Sequence, residues 1–381
     1  MCDAGLQDGR GRGSQHLSHL ATAERGREAK SSSSNHLGQQ STSSHPQIIA
    51  ETKIEAKQPA AMPAAAETAS RLVIVSGAAR GVGLGICRQT LAADPTTQVL
   101  CTARKLEQAQ DLAAELNAKY PGPPKRAHAA MLDVSDETSC LALAESLRPG
   151  GSLGDIRNPS DPIIVVNNAG ITFDLPWFPS PWPPEGAAKT LDVNLFGAER
   201  LTRAFLPQLL ESDDGRVIFV SSGGGRANMA RMSEENRNKL LSEDLEWDDI
   251  VDLTQTFTRE YEEFAQAAID AEKKGEEDVK HLPFLAPSGL WLQSYGFSKA
   301  CMGGYCSILA RKHPSLLSMT CSPGFIATDM SKTYAKYDEL KTIDEGGEVI
   351  AWMATEKKES MQSGIFYQPD RKAVGWVADL N

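Results

Sequence analysis

An apolar, β-branched run, Leu72-Val-Ile-Val75, stops on Ser76-Gly77, turns through Ala78-Ala-Arg-Gly-Val-Gly-Leu-Gly85 and continues as the helix-prone Ile86-Cys-Arg-Gln-Thr-Leu-Ala-Ala93. Such a run is what a strand buried on both faces looks like, so the junction reads strand, tight turn, helix. Gly77, Gly81 and Gly83 stand at G-x-x-x-G-x-G spacing, with Arg80 and Val82 between them. Glycines there let the backbone turn sharply and approach a ligand closely, and the helix N-terminus that follows can hold a phosphate on backbone N–H groups. No Gly-Lys-Ser/Thr follows, so this is not a Walker loop. A glycine cluster in a turn is often only structural. Its seat at a strand–helix junction is what points to a dinucleotide pyrophosphate.

Three more runs continue the alternation. Gln98-Val-Leu-Cys-Thr-Ala103 ends on Arg104-Lys105, about 20 residues past the glycines, where a site preferring NAD commonly has an acid for the ribose 2′-hydroxyl. Arg104 stands there instead. A guanidinium suits a 2′-phosphate by charge and bidentate geometry, and Arg80 supplies a second cation, so NADPH is expected over NADH. The plainer reading makes both arginines solvated loop residues. Ala129-Ala-Met-Leu-Asp133-Val134 reads as a third strand whose end, Asp133-Val134, reaches the cofactor, Asp133 accepting from the adenine amine. Pro162-Ile-Ile-Val-Val-Asn167-Asn168-Ala169-Gly170 reads as a fourth, with amides and small residues that suit close contact with a ribose; Asn-Asn is equally a turn former. The pattern predicts an α/β fold, a Rossmann-type doubly wound parallel sheet of about seven strands.

Tyr295 and Lys299 are one helical turn apart in Ser-Tyr-Gly-Phe-Ser-Lys, so they share a helix face. A phenol with its ordinary pKa of about 10 is a poor proton donor and is rarely ionised at neutral pH. A nearby ammonium favours its ionised form, and the pair could then exchange a proton with a carbonyl or alcohol oxygen. The spacing alone is weak, because Tyr337 and Lys341 repeat it.

Context decides between the copies. Ser76-Gly-Ala-Ala-Arg-Gly-Val-Gly83, Asn167-Asn-Ala-Gly170, Asn194 in Asp-Val-Asn-Leu-Phe-Gly, Gly215-Arg-Val-Ile-Phe-Val-Ser-Ser222, the Tyr295–Lys299 pair and Ser322-Pro323-Gly324-Phe-Ile326-Ala-Thr328 occur in that order. Over about residues 71 to 370 this resembles the short-chain dehydrogenase/reductase family, with Ser76 where Thr is usual. The resemblance implies a catalytic set of Asn194, Ser222, Tyr295 and Lys299, and a nicotinamide-side segment contributing Pro323, Gly324, Ile326 and Thr328. Tyr337 and Lys341 lie beyond that segment, where the family has no catalytic helix. Ser222 would donate to the carbonyl oxygen while Tyr295 supplies its proton. Lys299 would lower the tyrosine pKa and hold the ribose hydroxyls, and Asn194 would position a water leading to solvent. Each residue has a bland alternative: a strand-end hydroxyl, a surface charge, a helix amide bonding backbone.

Thr102-Ala-Arg104 and 72 residues between serine and tyrosine, 223 to 294, resemble the carbonyl reductase and salutaridine/menthone reductase branch. Within that helical insertion, apolar residues at 247, 250, 253, 257, 261 and 264 form a helical stripe. The resemblance implies that the insertion covers the helix surface through which simpler members form tetramers, so a monomer is expected. The insertion could also form part of a substrate lid.

The chain has 381 residues, 41% apolar and 23% charged, enough for one large core over 71–381. Residues 1–70, rich in Ser, Gln, His, Gly and Ala, are expected to be a disordered extension. They contain no apolar signal region, and acids at Asp3, Asp8, Glu24 and Glu28 count against an organelle transit peptide, so cytosol is preferred. Met62 is an alternative start. A net charge of −11 argues against nucleic acid, and no stretch has membrane-spanning length. Seven cysteines without a C-x-x-C pair read as reduced core thiols, with no metal site expected. Trp177, Phe178 and Trp182, in a proline-rich loop after the fourth strand, either line an apolar pocket or staple the loop to the core; stapling is preferred. The expected activity is NADPH-dependent reduction of a ketone, aldehyde or quinone. The rivals are reduction of an enone C=C bond and a non-catalytic NADPH-binding protein that docks partners through the insertion.

Overall fold

A computed structural model describes residues 70–122, 125–275 and 285–378. Apart from Ser70, the extension expected to be disordered lies outside these residues, as does Cys2.

The elements run β1 (Leu72–Val75), α1 (Gly81–Ala93), β2 (Gln98–Ala103), α2 (Leu106–Lys119), β3 (Ala127–Met131), α3 (Glu137–Ser146), β4 (Ile163–Asn167), α4 (Gly186–Leu191), α5 (Gly197–Glu211) and β5 (Gly215–Val220). They continue with α6 (Gly223–Arg231), α7 (Glu234–Leu240), α8 (Trp247–Lys274), α9 (Ser294–Lys312), β6 (Leu317–Cys321), α10 (Ile343–Thr355), β7 (Ile365–Tyr367) and β8 (Ala373–Val374). One sheet has the order β3-β2-β1-β4-β5-β6-β7-β8. Every pairing from β3 to β7 is parallel, and β8 is antiparallel to β7. The sheet thus has eight strands, more than the expected seven or so. The addition is a two-residue edge made when the chain reverses through Arg371, at φ 68°, and returns along β7. Two residues carry no periodicity to read.

Strand side chains alternate between two cores. Leu72, Ile74, Ile163 and Val165 join the layer with Leu143, Leu201, Phe257 and Phe297 from α3, α5, α8 and α9. Val73, Val75, Ile164 and Val166 face the layer with Ile86, Leu116 and Ile350 from α1, α2 and α10. Both faces are covered, which is why these strands are apolar throughout. On the second face α1 and α10 nearly touch: a Cβ on Gly85 would lie 1.9 Å from the Ile343 carbonyl oxygen.

The insertion is helical, as expected. α8 buries Ile250, Leu253, Phe257 and Tyr261, with Trp247 and Phe264 half-buried. Phe257 stacks on Phe297 of α9 at 4.1 Å and 3°. A capping box between Glu246 and Asp249 starts α8, and Gly275 at φ 73° ends it. The six described cysteines, Cys87, Cys101, Cys140, Cys301, Cys306 and Cys321, are buried free thiols.

Strand order reverses between β1 and β4, and their connections leave to opposite faces. A crevice therefore opens at their C-terminal ends, where such sheets bind ligands.

Candidate active site

The crevice is a cleft of about 1330 Å³. Its floor at one end is the turn after β1. Gly77 and Gly81 take φ of 66° and 58°, and a Cβ on Gly83 would come within 2.3 Å of the Gly77 carbonyl oxygen and 2.7 Å of Asn168 Nδ2. Asn168 Nδ2 donates to the carbonyls of Ser76 at 2.8 Å and Gly77 at 3.2 Å. Ser76 Oγ accepts from the N–H groups of Asn168 and Ala169 at 2.9 and 3.0 Å, so the ends of β1 and β4 are knitted together. The resulting cradle has backbone where other residues carry Cβ, and it suits a pyrophosphate at the start of α1.

Gly77, Arg80, Gly81, Val82, Arg104, Asp133, Val134, Asn168, Ala169, Gly170, Tyr295, Lys299, Pro323 and Thr328 all line the cleft. Gly83, Gly324, Ile326, Asn194 and Ser222 are not on its wall. Gly83 lies beneath the turn, Gly324 takes φ 92°, and Ile326 packs where a Cβ on Gly346 would be, 2.9 Å away. Arg104 faces Asp133: burial pushes that carboxyl up, but Ser135 and the Arg104 charge more than offset it and hold it below its usual range. Arg80 pairs with Asp329 at 2.9 Å across the mouth of the cleft, both side chains well exposed.

The reacting end is built by α9 against β5. Ser221 Oγ donates to the Lys299 carbonyl at 3.1 Å and Lys299 Nζ donates to the Val220 carbonyl at 2.8 Å. Ser222 is the N-cap of α6, and its Oγ accepts from Gly224 N–H at 3.0 Å. Its own proton is left to donate, and the hydroxyl is near enough to the Tyr295 phenol to lower that group's pKa. Lys299 Nζ lies 5.7 Å from the tyrosine ring centroid. Burial pushes the phenol above its ordinary value, and Ser222 opposes this. The expected tuning by Lys299 is not what the phenol meets here. The ammonium is drawn to the Val220 carbonyl, and burial lowers its own pKa to about 8.

Asn194 is fully buried in a π-turn, Asp192–Phe196, between α4 and α5. Its oxygen accepts from Ile171 N–H at 2.8 Å, and its nitrogen donates to the Ile171 carbonyl at 2.9 Å and Ser298 Oγ at 3.1 Å. It therefore clamps the segment after β4 to α9.

Tyr337 and Lys341 do not share a helix. Tyr337 lies in the short turn Tyr337–Glu339 and lines the cleft, while Lys341 is extended and bridges to Ile326. Sequence reasoning had no signal for this wall, nor for Asp329, Met330 and Ile171, which also line it. Trp182 staples the loop to the core, whereas Trp177 packs on another loop. Trp177 packs on Phe325 and Tyr334 at 5.4 and 5.3 Å and donates to the Met330 carbonyl, and Trp182 packs on Ala268 and Phe264 of α8. Among the described residues no group of side chains could hold a metal ion, and no helix is long and apolar enough to cross a membrane.

Residues 71–234 match the short chain dehydrogenase family model. The chain is 28% identical over 319 residues to (+)-neomenthol dehydrogenase of Arabidopsis thaliana, covering 79% of this chain and 97% of that protein. It is 29% identical over 293 residues to human carbonyl reductase [NADPH] 3, covering 75% and 91%. The solved structure of salutaridine reductase from Papaver somniferum shares the fold, with a TM-score of 0.60 and 21% identity over 78% of this chain and 99% of that one. Sheet order, glycine cradle and the tyrosine–lysine helix agree with this similarity, and over residues 71–234 the chain matches the short-chain dehydrogenase family. Within it, the similarities fall in the carbonyl reductase branch.

Proposed function

We propose that the protein reduces a ketone, aldehyde or quinone to an alcohol with NADPH. The observation that carries this reading is that Tyr295 and Lys299, with Ser222 beside the phenol just behind the wall, line the same cleft as Arg80 and Arg104. The relatives named as NADPH carbonyl reductases support it.

When bound, NADPH supplies the hydride. The backbone of the turn at Gly77 to Gly83 would hold its pyrophosphate, Arg104 with Arg80 the 2′-phosphate, and Asp133 and Val134 the adenine side. Asn168, Ala169, Gly170 and Lys299 would hold the nicotinamide-side ribose, and the segment from Pro323 to Thr328 would border the nicotinamide. Ser222 donates to the substrate oxygen as negative charge builds there, which is electrostatic stabilisation. Tyr295 donates the proton. The phenol is protonated at neutral pH, as a donor must be; burial raises its pKa, which weakens it as an acid, and Ser222 opposes that rise. Lys299 would pass on the replacement proton, and Asn194 would position a water that connects Lys299 to solvent. The packing of α8 against α4 and α9 supports a monomer.

The test follows NADPH absorbance against a panel of ketones, aldehydes and quinones, with Tyr295→Phe as control. Turnover that the variant loses while still binding NADPH is expected. Binding of NADPH by the native protein without turnover of any panel member would overturn the reading.

A further inference from the structure

Asp174 follows β4, is fully buried, and has no part in the chemistry described above. A buried carboxylate is costly unless hydrogen bonds satisfy it, and the described residues place no lysine or arginine in ion pair with it. Its oxygens accept from the backbone N–H of Ser294, from the N–H of Tyr295 at 3.4 Å and from Thr172 Oγ1 at 3.1 Å. The first two donors open α9. The first N–H groups of a helix lack partners within it, and here the helix's own N-cap, Gln293, provides no side-chain bond. Asp174 thus caps the helix from a segment more than a hundred residues earlier, with its charge at the favourable end of the helix dipole.

The Tyr295 peptide is held on its other side too. Ser298 Oγ donates to the Tyr295 carbonyl at 2.8 Å and is itself held by Asn194 Nδ2 at 3.1 Å. Burial pushes the Asp174 carboxyl up, against the hydrogen bonds of Ser294, Tyr295 and Thr172. From the insertion, the buried Tyr261 comes beside it: burial first, then the Asp174 charge, keep that phenol protonated.

We propose that Asp174 is a positioning residue for the reduction, setting through the N–H groups of Ser294 and Tyr295 where the Tyr295 phenol stands against Ser222. It acts through Tyr295 and touches no reacting atom. The proposal rests on Tyr295 being the proton donor.

The test compares the full-length protein with Asp174→Asn, Thr172→Val and Tyr295→Phe, measuring kcat, KM for a ketone that the protein turns over, NADPH Kd by fluorescence and the solvent deuterium isotope effect on kcat. An asparagine keeps the size but offers one acceptor oxygen and turns donors toward donors. A misplacement of about 1 Å costs up to about a hundredfold, so Asp174→Asn is expected to lower kcat about tenfold to a hundredfold. KM and Kd should stay within about twofold and the isotope effect should rise, because proton transfer has become slower. Thr172→Val keeps the carboxylate and removes one donor. It is expected to show the same pattern at about threefold to tenfold, and it carries the test if Asp174→Asn does not fold. An unchanged kcat in the variant that carries the test overturns the proposal, as does a loss matched by weaker NADPH binding with the isotope effect unmoved. If Tyr295→Phe keeps its turnover, the proton-donor reading falls and this proposal with it. If Tyr295→Phe is inactive and Asp174→Asn matches the native protein, only the positioning role falls.

Discussion

Lys299 Nζ donates to the carbonyl of Val220 at 2.8 Å, fastening the lysine of α9 to the last residue of β5. Ser221 Oγ returns the contact by donating to the Lys299 carbonyl at 3.1 Å. The helix that carries the phenol is thereby registered against the strand that leads into Ser222.

Burying this lysine has a pH signature. Its pKa drops from 10.5 to about 8 through desolvation, so between those values the unfolded chain binds more protons and stability rises with pH. The cost of the buried charge is complete below pH 8 and fades as pH approaches 10.5. Lys299→Met removes that cost together with a pH-independent bond. The variant's stability relative to the native protein should therefore be more favourable at pH 7 than at pH 10, by about 3 kcal/mol. Urea unfolding at both pH values checks this, and parallel pH curves for the two proteins would refute it.

The two adjacent serines should separate cleanly. Ser222→Ala removes the donor beside the phenol and should lower kcat about a hundredfold or more, the usual effect of losing one such donor. Ser221→Ala loses only the bond to the Lys299 carbonyl. It should cost about 1 kcal/mol of stability and leave kcat nearly unchanged. Steady-state kinetics and thermal melts of both variants decide.

Arg104 and Arg80 differ in availability. Arg104→Ala is expected to lower kcat/KM for NADPH about tenfold to a hundredfold, the range for a charge-assisted hydrogen bond, with NADH barely affected. Arg80 is shared with Asp329, but both side chains are well exposed. Freeing it by Asp329→Asn should tighten NADPH by no more than about fivefold, and less at high salt. Titrations with both cofactors at two ionic strengths measure this.

Gly85→Ala should destabilise the fold by about 1–3 kcal/mol or more, because its Cβ would lie 1.9 Å from the Ile343 carbonyl oxygen. Gly375→Ala, whose Cβ meets nothing within 4 Å, should change little. Thermal unfolding of the pair isolates the packing of α1 against α10, and equal melting temperatures would show that the helices can separate freely.

Much of this was legible along the chain. The run Leu72–Val75, the glycines after it, and Tyr295 one turn before Lys299 each express a local requirement: burial on both faces, a turn without Cβ atoms, a shared helix face. The stripe from Trp247 to Phe264 is legible for the same reason. What tertiary structure alone decided are contacts between distant segments. Asp174 at the start of α9, Asp329 against Arg80, Tyr337 on the cleft wall and the β8 edge depend on which loops the packed sheet brings together. The pKa directions of Tyr295 and Lys299 belong with these contacts. Spacing placed an ammonium near a phenol, but desolvation and the Val220 carbonyl, which exist only once α9 is packed on β5, set the proton affinity of both.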